Sequence, residues 1–498
     1  MKRFLKESIL LSVMSIPALG ASPEGAEPIP RRTQISGPTI DIRIDCGARG
    51  DGISNDTDAF RKAAALIQKA KSAKLVLPTG IYIVGTQYHE HGQYPYYKNK
   101  PIFELSGVDG VIIEGSPGTI IRLADGLRFG SFDKDTGERF DPVMAEAFKN
   151  GLFVDKRYAA YPGNVLAISN SKNVTLCDFE LDGNSRKLVL GGTYGDTGRQ
   201  LPASGLALQG NSNVWIENIV AHHHGTDGIM IGYPLMKATD APAPHVLINI
   251  TSEYNARQGL SWVGGKGLTV TNSKFNHTGR ATFMSAPGAG VDIEAEESVC
   301  RDGMFTDCEF VNNAGCGIVA DSGDGGYTTF KKCTIWGTTT WAMWNKKPGM
   351  RFEECNFYGS VVHAYGCKDT PALATHYSRC HFEDKEHPKH GVYRANMVVT
   401  HDGNADNVLF DNCDIVANKV KGVWLKGDAI LRNCRITHKD TQLNDLDFQS
   451  LFRECQIENT RFSEEFPIGF TKRYLIIAEQ VKRTNVVVQG PVVKWKDL

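Results

Sequence analysis

Three carboxylates stand in one short stretch of this chain at a spacing that acid–base chemistry can use. Asp292 and Glu294 are two residues apart in Ala289-Gly290-Val291-Asp292-Ile293-Glu294, and Asp321 closes Cys316-Gly317-Ile318-Val319-Ala320-Asp321. Aligned on glycine with Thr226-Asp227-Gly228-Ile229-Met230-Ile231 and Arg257-Gln258-Gly259-Leu260-Ser261-Trp262, these segments read as the same strand in four successive repeats. Strand alternation sends Ile229/Leu260/Val291/Ile318 and Ile231/Trp262/Ile293/Ala320 inward, and Met230/Ser261/Asp292/Val319 and Val263/Glu294/Asp321 outward. By strand geometry Asp292 lies ~6–7 Å from Glu294 and ~8 Å from Asp321, while Glu294 and Asp321 are ~4.8 Å apart. Like charges that close cannot both ionise cheaply, so one carboxyl is expected to keep its proton near neutral pH, as a general acid must. A glycosidase pairs such an acid with an ionised carboxylate. The diagonal suits an inverting pair with Asp292 as base and Glu294 or Asp321 as acid, whereas Glu294 with Asp321 would suit retention. Keeping an exposed face soluble and holding Ca²⁺ are the competing uses of clustered acids.

Several polar groups lie near these acids in sequence. Arg257, His277 and Arg280 are candidates to meet an anionic sugar, uronate or sulfate, through charge-assisted contacts, with Gln258 and Lys346 as further substrate contacts. In His222-His223-His224 consecutive side chains point different ways and the spacing matches no zinc pattern, so no metal is expected; His223 is counted as a substrate contact. Trp341, Trp344 and Tyr365 suit either sugar stacking or core packing.

The elements that position these groups follow from a short phrase repeated eleven times, an extended run with a small residue two places before an apolar one. Cys177, Cys308, Cys333, Cys355, Cys380, Cys413, Cys434 and Cys455 fit it, and Asn218, Ser252 and Ser273 carry the register through the middle. Spacings of 21 to 25 residues, abundant Gly and little helical periodicity describe one coil of a parallel β-solenoid, in which equivalent residues stack as ladders ~4.8 Å apart. Twelve Cys behind an apparent secretory leader would ordinarily suggest disulfides. Ladder positions instead favour buried free thiols, with Cys300, Cys316 and Cys367 off the ladder.

The 498 residues carry a formal charge of −1 with both signs interspersed, which argues against a nucleic-acid-binding polycation. Residues 1–21 have the basic start, short apolar run and small-residue end of a cleavable signal peptide, so export to the periplasm or beyond is expected, without a membrane anchor. Residues 22–40 are expected to be flexible, 41–85 to form an N-terminal cap with a helix over Ala59 to Lys71, and 86–460 to form the coils. Long loops at 86–101, 124–163 and 183–203 are rich in Tyr, Gly and charge, and 461–498 read as a C-terminal cap.

The cap segment carries a resemblance. Asp45-Cys46-Gly47-Ala48-Arg49-Gly50-Asp51-Gly52 with Asn55-Asp56-Thr57 and Ala59-Phe60, followed by Leu77-Pro78-Thr79-Gly80-Ile81-Tyr82, resembles the N-terminal signature of the pectate-lyase-like right-handed β-helix superfamily. The resemblance implies an all-β, right-handed parallel β-helix of about 11–12 coils with an N-terminal capping helix, in a group holding glycoside hydrolases, polysaccharide lyases, epimerases and tailspikes. Thr226-Asp227-Gly228 is similar to the polygalacturonase Asn-Thr-Asp-Gly run, which makes Asp227 a fourth candidate catalytic carboxylate if it sits in the bend before its strand. Gly225 replaces that Asn, Gln258 stands where the family has His, and no Asp-Asp pair follows, so galacturonan hydrolysis is not implied.

The expectation is a secreted glycoside hydrolase acting on a polysaccharide or glycan in a groove, by Asp292, Glu294, Asp321 and Asp227, with no cofactor. A polysaccharide lyase or uronate epimerase, where Ca²⁺ would serve the substrate carboxylate and Arg257 or Arg280 the proton, is the alternative, and a non-catalytic glycan-binding solenoid the third.

Overall fold

A computed structural model describes residues 33, 35–90, 97–133, 135–139, 159–192, 201–338, 341–391, 398–401, 405–418, 422–439, 449–465, 475–490 and 492–496. The expected signal peptide and Tyr94, Tyr96, Tyr158, Tyr194, Asp196 and Arg199 of the long loops lie outside them. Among the described residues no helix is long and apolar enough to cross a membrane.

Each coil contributes three strands to a parallel β-helix. The first two run together in a 28-stranded sheet, because Lys172–Asp182 and Ser212–His222 are long enough to bend through both; the third strands form a 15-stranded sheet. Side chains at alternate positions fill a continuous apolar core. In it Phe305, Phe330, Phe352, Tyr377 and Phe410 stack one per coil, with ring centroids 4.8–5.3 Å apart. That distance is the strand spacing itself, so like residues in register stack with no adjustment of the backbone.

The cysteine ladder exists, over part of the expected range. Ser273, Cys308, Cys333, Cys355, Cys380, Cys413 and Cys434 each present their carbonyl to the N–H that begins the second strand of the following coil. All twelve cysteines are free. The position before Ser273 is Ile250, not Ser252, and Cys455 stands at the corner before the first strand, where Ala429 precedes it. Asn218 belongs to an exposed amide row with Asp178, Asn249 and Asn272, and Cys177 pairs with Glu217. The phrase occurs at both corners of a coil, and sequence spacing cannot tell one corner from the other.

Helix α1, Thr57–Ala70, lies at the N-terminal end with Phe60, Ala63, Ala64 and Ile67 buried. Asp56 accepts from the N–H groups of Arg49 and Gly50, tying the glycine-rich turn to the helix start. The helix shields the first coil, which otherwise leaves apolar surface open. Thr39–Asp41 already pairs with Ala73–Leu77, so the segment expected to be flexible up to residue 40 is ordered by its last residues. At the other end the coils continue: Arg461–Glu464 pairs with Val487–Gln489, and Leu475–Glu479 with Val492–Lys496. The cap expected from 461 is further β-helix, its period masked by weak matches to the repeat phrase.

The three long insertions partly pair with one another. Gln87–His89, Tyr97–Asn99, Arg128–Ser131, Ala159–Ala160 and Val189–Gly191 make a separate five-stranded sheet. Its Phe129 packs on Phe283 of the 278–288 segment, ring centroids 5.8 Å apart, which brings the insertions to the corner entering the third sheet.

Candidate functional site

Pairing in the third sheet defines one outward row running Ala167, Ala207, Met230, Ser261, Asp292, Val319, Trp344, His363. The neighbouring row Ile229, Leu260, Val291, Ile318 is core, as alternation requires. Outward is not exposed here: Ser261 is 0 %, Asp292 4 % and Val319 8 % accessible. Ala289, Cys316, Val319 and Trp344 form a small apolar cluster on this outer side, in which Val319 is the direct pairing partner of Asp292.

Asp227 and Gln258 join this side through a corner. The pairing runs Asp227 to Gln258 and resumes at Ile229 to Leu260. Gly228 approaches the interior so closely that a Cβ there would lie 2.0 Å from the Ser252 Oγ. With Gly228 turned inward, Ile229 is inward as well, so alternation breaks at the glycine and Asp227 emerges outside. This is the bend that a role for Asp227 demands.

A buried polar chain results. Arg257 Nε and Nη2 donate to the two carboxylate oxygens of Asp227 at 2.8 and 2.9 Å, and Nη2 reaches Gln258 Oε1 at 3.3 Å. Gln258 Nε2 then donates to Asp292 Oδ2. Burial pushes the Asp227 carboxyl up and the Arg257 guanidinium pulls it back. Both carboxylate oxygens are thereby held in a bidentate contact with the guanidinium. Asp292 differs: burial first, then Glu294, Asp321 and Asp227, outweigh Arg257 and push its carboxyl up to about 8. Its Oδ1 and the Ser261 Oγ, on paired neighbours in the row, are buried and without a hydrogen-bond partner among the described residues.

Two expectations change. Asp292, read from sequence as the base, is the carboxyl that holds its proton at neutral pH, because apolar neighbours desolvate it. Glu294 and Asp321 do not share a row: register shifts after Asp292, Glu294 pairs with Ser322, and Asp321 is displaced and exposed, accepting from the Ser322 hydroxyl at 3.0 Å. Separations drawn from straight pairing therefore lose their basis, and with them the preference for inversion.

The other candidates divide. Arg257, expected to meet an anionic sugar, is buried against Asp227. Arg280 donates to the carbonyls of Asn312 and Asn313 at 3.2 and 3.4 Å. His223 and His277 stand at the corner that follows the second strands of their coils, sandwiching Tyr254 with ring centroids 5.3 and 4.7 Å away. Lys346 is exposed at the far end of the outward row, its Nζ 4.7 Å from the Trp344 ring, on which Trp341 stacks at 5.3 Å. Ser261 and Glu296 were missed as candidates. Glu296 continues the alternation of Asp292 and Glu294, a signal available in sequence, and burial pushes its carboxyl up, with Glu294 adding to it.

His222 and His223 also converge, against expectation. With Asp182 they bring one ligand atom each within 4.8 Å of one another, and Glu114, Cys177 and Asp178 do likewise elsewhere. His224 is fully buried and held down to about 3 by desolvation, with Nε2 on the Leu181 carbonyl.

Residues 163–357 match the family described as right handed beta helix region. "Depolymerase 1, capsule KN3-specific" of Klebsiella phage KN3-1 is 25% identical over 325 residues, 62% of this chain and 33% of the phage protein, so the chain spans about a third of that relative's length. Among solved structures, the bacteriophage Phi29 gene product 12 N-terminal fragment is 14% identical with a TM-score of 0.48, covering 90% of this chain and 71% of its own. The mannuronan C-5 epimerase A-module of Azotobacter vinelandii is 14% identical with a TM-score of 0.38, covering 91% and 99%. The chain is a right-handed parallel β-helix, with the family match confined to residues 163–357.

Proposed function

We propose that this protein is a glycan-acting enzyme that cleaves glycosidic bonds in a polysaccharide lying along the outward row of the third sheet. The observation that carries the reading is Asp292: a carboxyl held protonated near neutral pH, anchored on one oxygen by Gln258 and unpartnered on the other, in a row flanked by further acids. Asp292 is the general acid toward the leaving oxygen, and Glu294 or Asp321 at the open rim serves as base or nucleophile. Asp227 positions rather than reacts, holding Arg257 and through it Gln258. A capsule-specific depolymerase among its relatives supports a polysaccharide as substrate.

The row extends past Asp292 on both sides. Toward the N-terminus a cavity of about 440 Å³ opens over Ala167, Ala207 and Met230, edged by the amides of Gln68, Asn164 and Gln209. Toward the C-terminus stand Trp341, Trp344 and Lys346. Amides suit sugar hydroxyls, and a tryptophan face beside a lysine suits a sugar ring bearing an acidic group. A site open on both sides cuts within a chain. Hydrolysis is favoured over elimination because Arg257 and Arg280, the arginines that could serve a lyase as base, are engaged with Asp227 and with backbone carbonyls.

The test incubates the protein with neutral, uronic and sulfated polysaccharides, with and without EDTA, following reducing ends and the absorbance of unsaturated products. Reducing ends without unsaturation are expected, and Asp292→Asn should remove them. Unsaturated products would establish a lyase instead. Binding without turnover on any substrate would leave only a glycan-binding solenoid.

A further inference from the structure

We infer that Asp182, His222 and His223 form a binding site for a divalent first-row transition metal such as Zn²⁺, at the corner between the second and third strands of their coils. Asp182 and His222 end the second strands of adjacent coils and pair directly, which sets them one strand spacing apart. His223 would ordinarily point away from His222. Its backbone instead turns left-handed, at φ 56°, and swings the imidazole back, so that His223 Nδ1–H donates to His222 Nδ1 at 2.7 Å, a proton that moves to the other ring nitrogen when an ion binds. Asp182 Oδ1 lies 3.7 Å from His222 Nδ1.

Each donor is held from behind. Glu180 Oε1 sits 3.0 Å from His222 Nε2, which places the ring hydrogen on that nitrogen and turns the Nδ1 lone pair toward Asp182 and His223. This is the carboxylate–histidine support that orients metal-bound imidazoles elsewhere. Asp182 is fixed by Arg122 Nε on Oδ2 at 2.7 Å and by the Asn184 N–H on Oδ1 at 2.8 Å. The His223 ring lies nearly parallel to Tyr254, at 16°. Two imidazole nitrogens and one carboxylate oxygen select a borderline ion over Ca²⁺, which prefers oxygen throughout. Three protein donors leave a coordination position for water. The Arg122 guanidinium lowers the net attraction for a cation, so the affinity rests on donor geometry. Such an ion would clamp two coils at the corner from which the strand bearing Asp227 departs.

The site is tested by calorimetric titration of the untagged full-length protein with ZnCl₂, and with CoCl₂ followed by visible absorption. One equivalent is expected to bind with the absorption of a low-symmetry Co²⁺ site. His223→Gln and Asp182→Asn should abolish that equivalent while circular dichroism stays that of the parent. Glu180→Gln should weaken binding by about 10–100-fold, as loss of a supporting carboxylate does. Cys177→Ser, which disrupts the other cluster, should change nothing. No binding to the parent, or parental binding by His223→Gln, would overturn the proposal, as would loss of the ion in Cys177→Ser.

Discussion

Asp292 concentrates the consequences of burial at a single side chain. Its carboxyl moves from an ordinary 3.8 up to about 8. Between those values the folded chain retains a proton that the unfolded chain has released. Stability therefore declines as pH rises from about 4 towards 8, and levels off above that. Asp292→Asn removes this titration, so the variant's melting temperature should gain on the parent's between pH 4 and pH 9; a pH-independent gap would contradict the assignment. The same proton sets activity: turnover should fall on an alkaline limb near pH 8, and Asp292→Asn should lose about 10²–10⁴-fold in kcat, as removal of a general acid does.

At the scale of the strand, the corner glycine decides whether the polar chain assembles. A methyl at Gly228 would meet Ser252 Oγ at 2.0 Å, and Ser252 is itself fixed between the Gly259 carbonyl and Asn255. Gly228→Ala should cost about 1–3 kcal/mol in denaturant unfolding, as overpacking does. It should also reduce activity more than the stability loss explains, because Asp227 and Arg257 shift with the corner. The cysteine ladder yields a separate check. Protein unfolded without reductant should titrate as twelve thiols with a disulfide-exchange reagent, and adding reductant should leave the melting temperature unchanged.

Across the whole molecule, stacked coils turn one strand position into a row several sugar units long. Filling the cavity with Ala207→Trp, three paired positions before Asp292, should leave the Asp292 pH profile in place while shifting product sizes from long substrates. An unchanged product distribution would mean that the chain does not extend over Met230. The insertions bear on the same row from the side: Phe129 against Phe283 locates the five-stranded sheet beside the corner that carries Asp227.

The coil architecture, the capping helix and the inward rows Ile229/Leu260/Val291/Ile318 and Ile231/Trp262/Ile293/Ala320 were determined by sequence alone. Periodicity of apolar residues records which side of a strand meets the core, and repetition of that period records stacking. The outward placement of Asp292 was legible for the same reason, whereas Asp227 became a candidate only through the resemblance of Thr226-Asp227-Gly228 to the polygalacturonase run. What only the tertiary structure decided were features without a period. The corner at Gly228 that turns Asp227 outward, the register shift that displaces Asp321 and the left-handed turn that brings His223 back to His222 each depend on a single backbone position. The exchange of roles at Asp292 depends on more distant parts still, since a proton's affinity is set by everything that excludes water from it. Here Val319, the partner of Asp292 in the next coil, and Trp344, the partner of Val319 in the coil after, reach that side only once the chain is stacked.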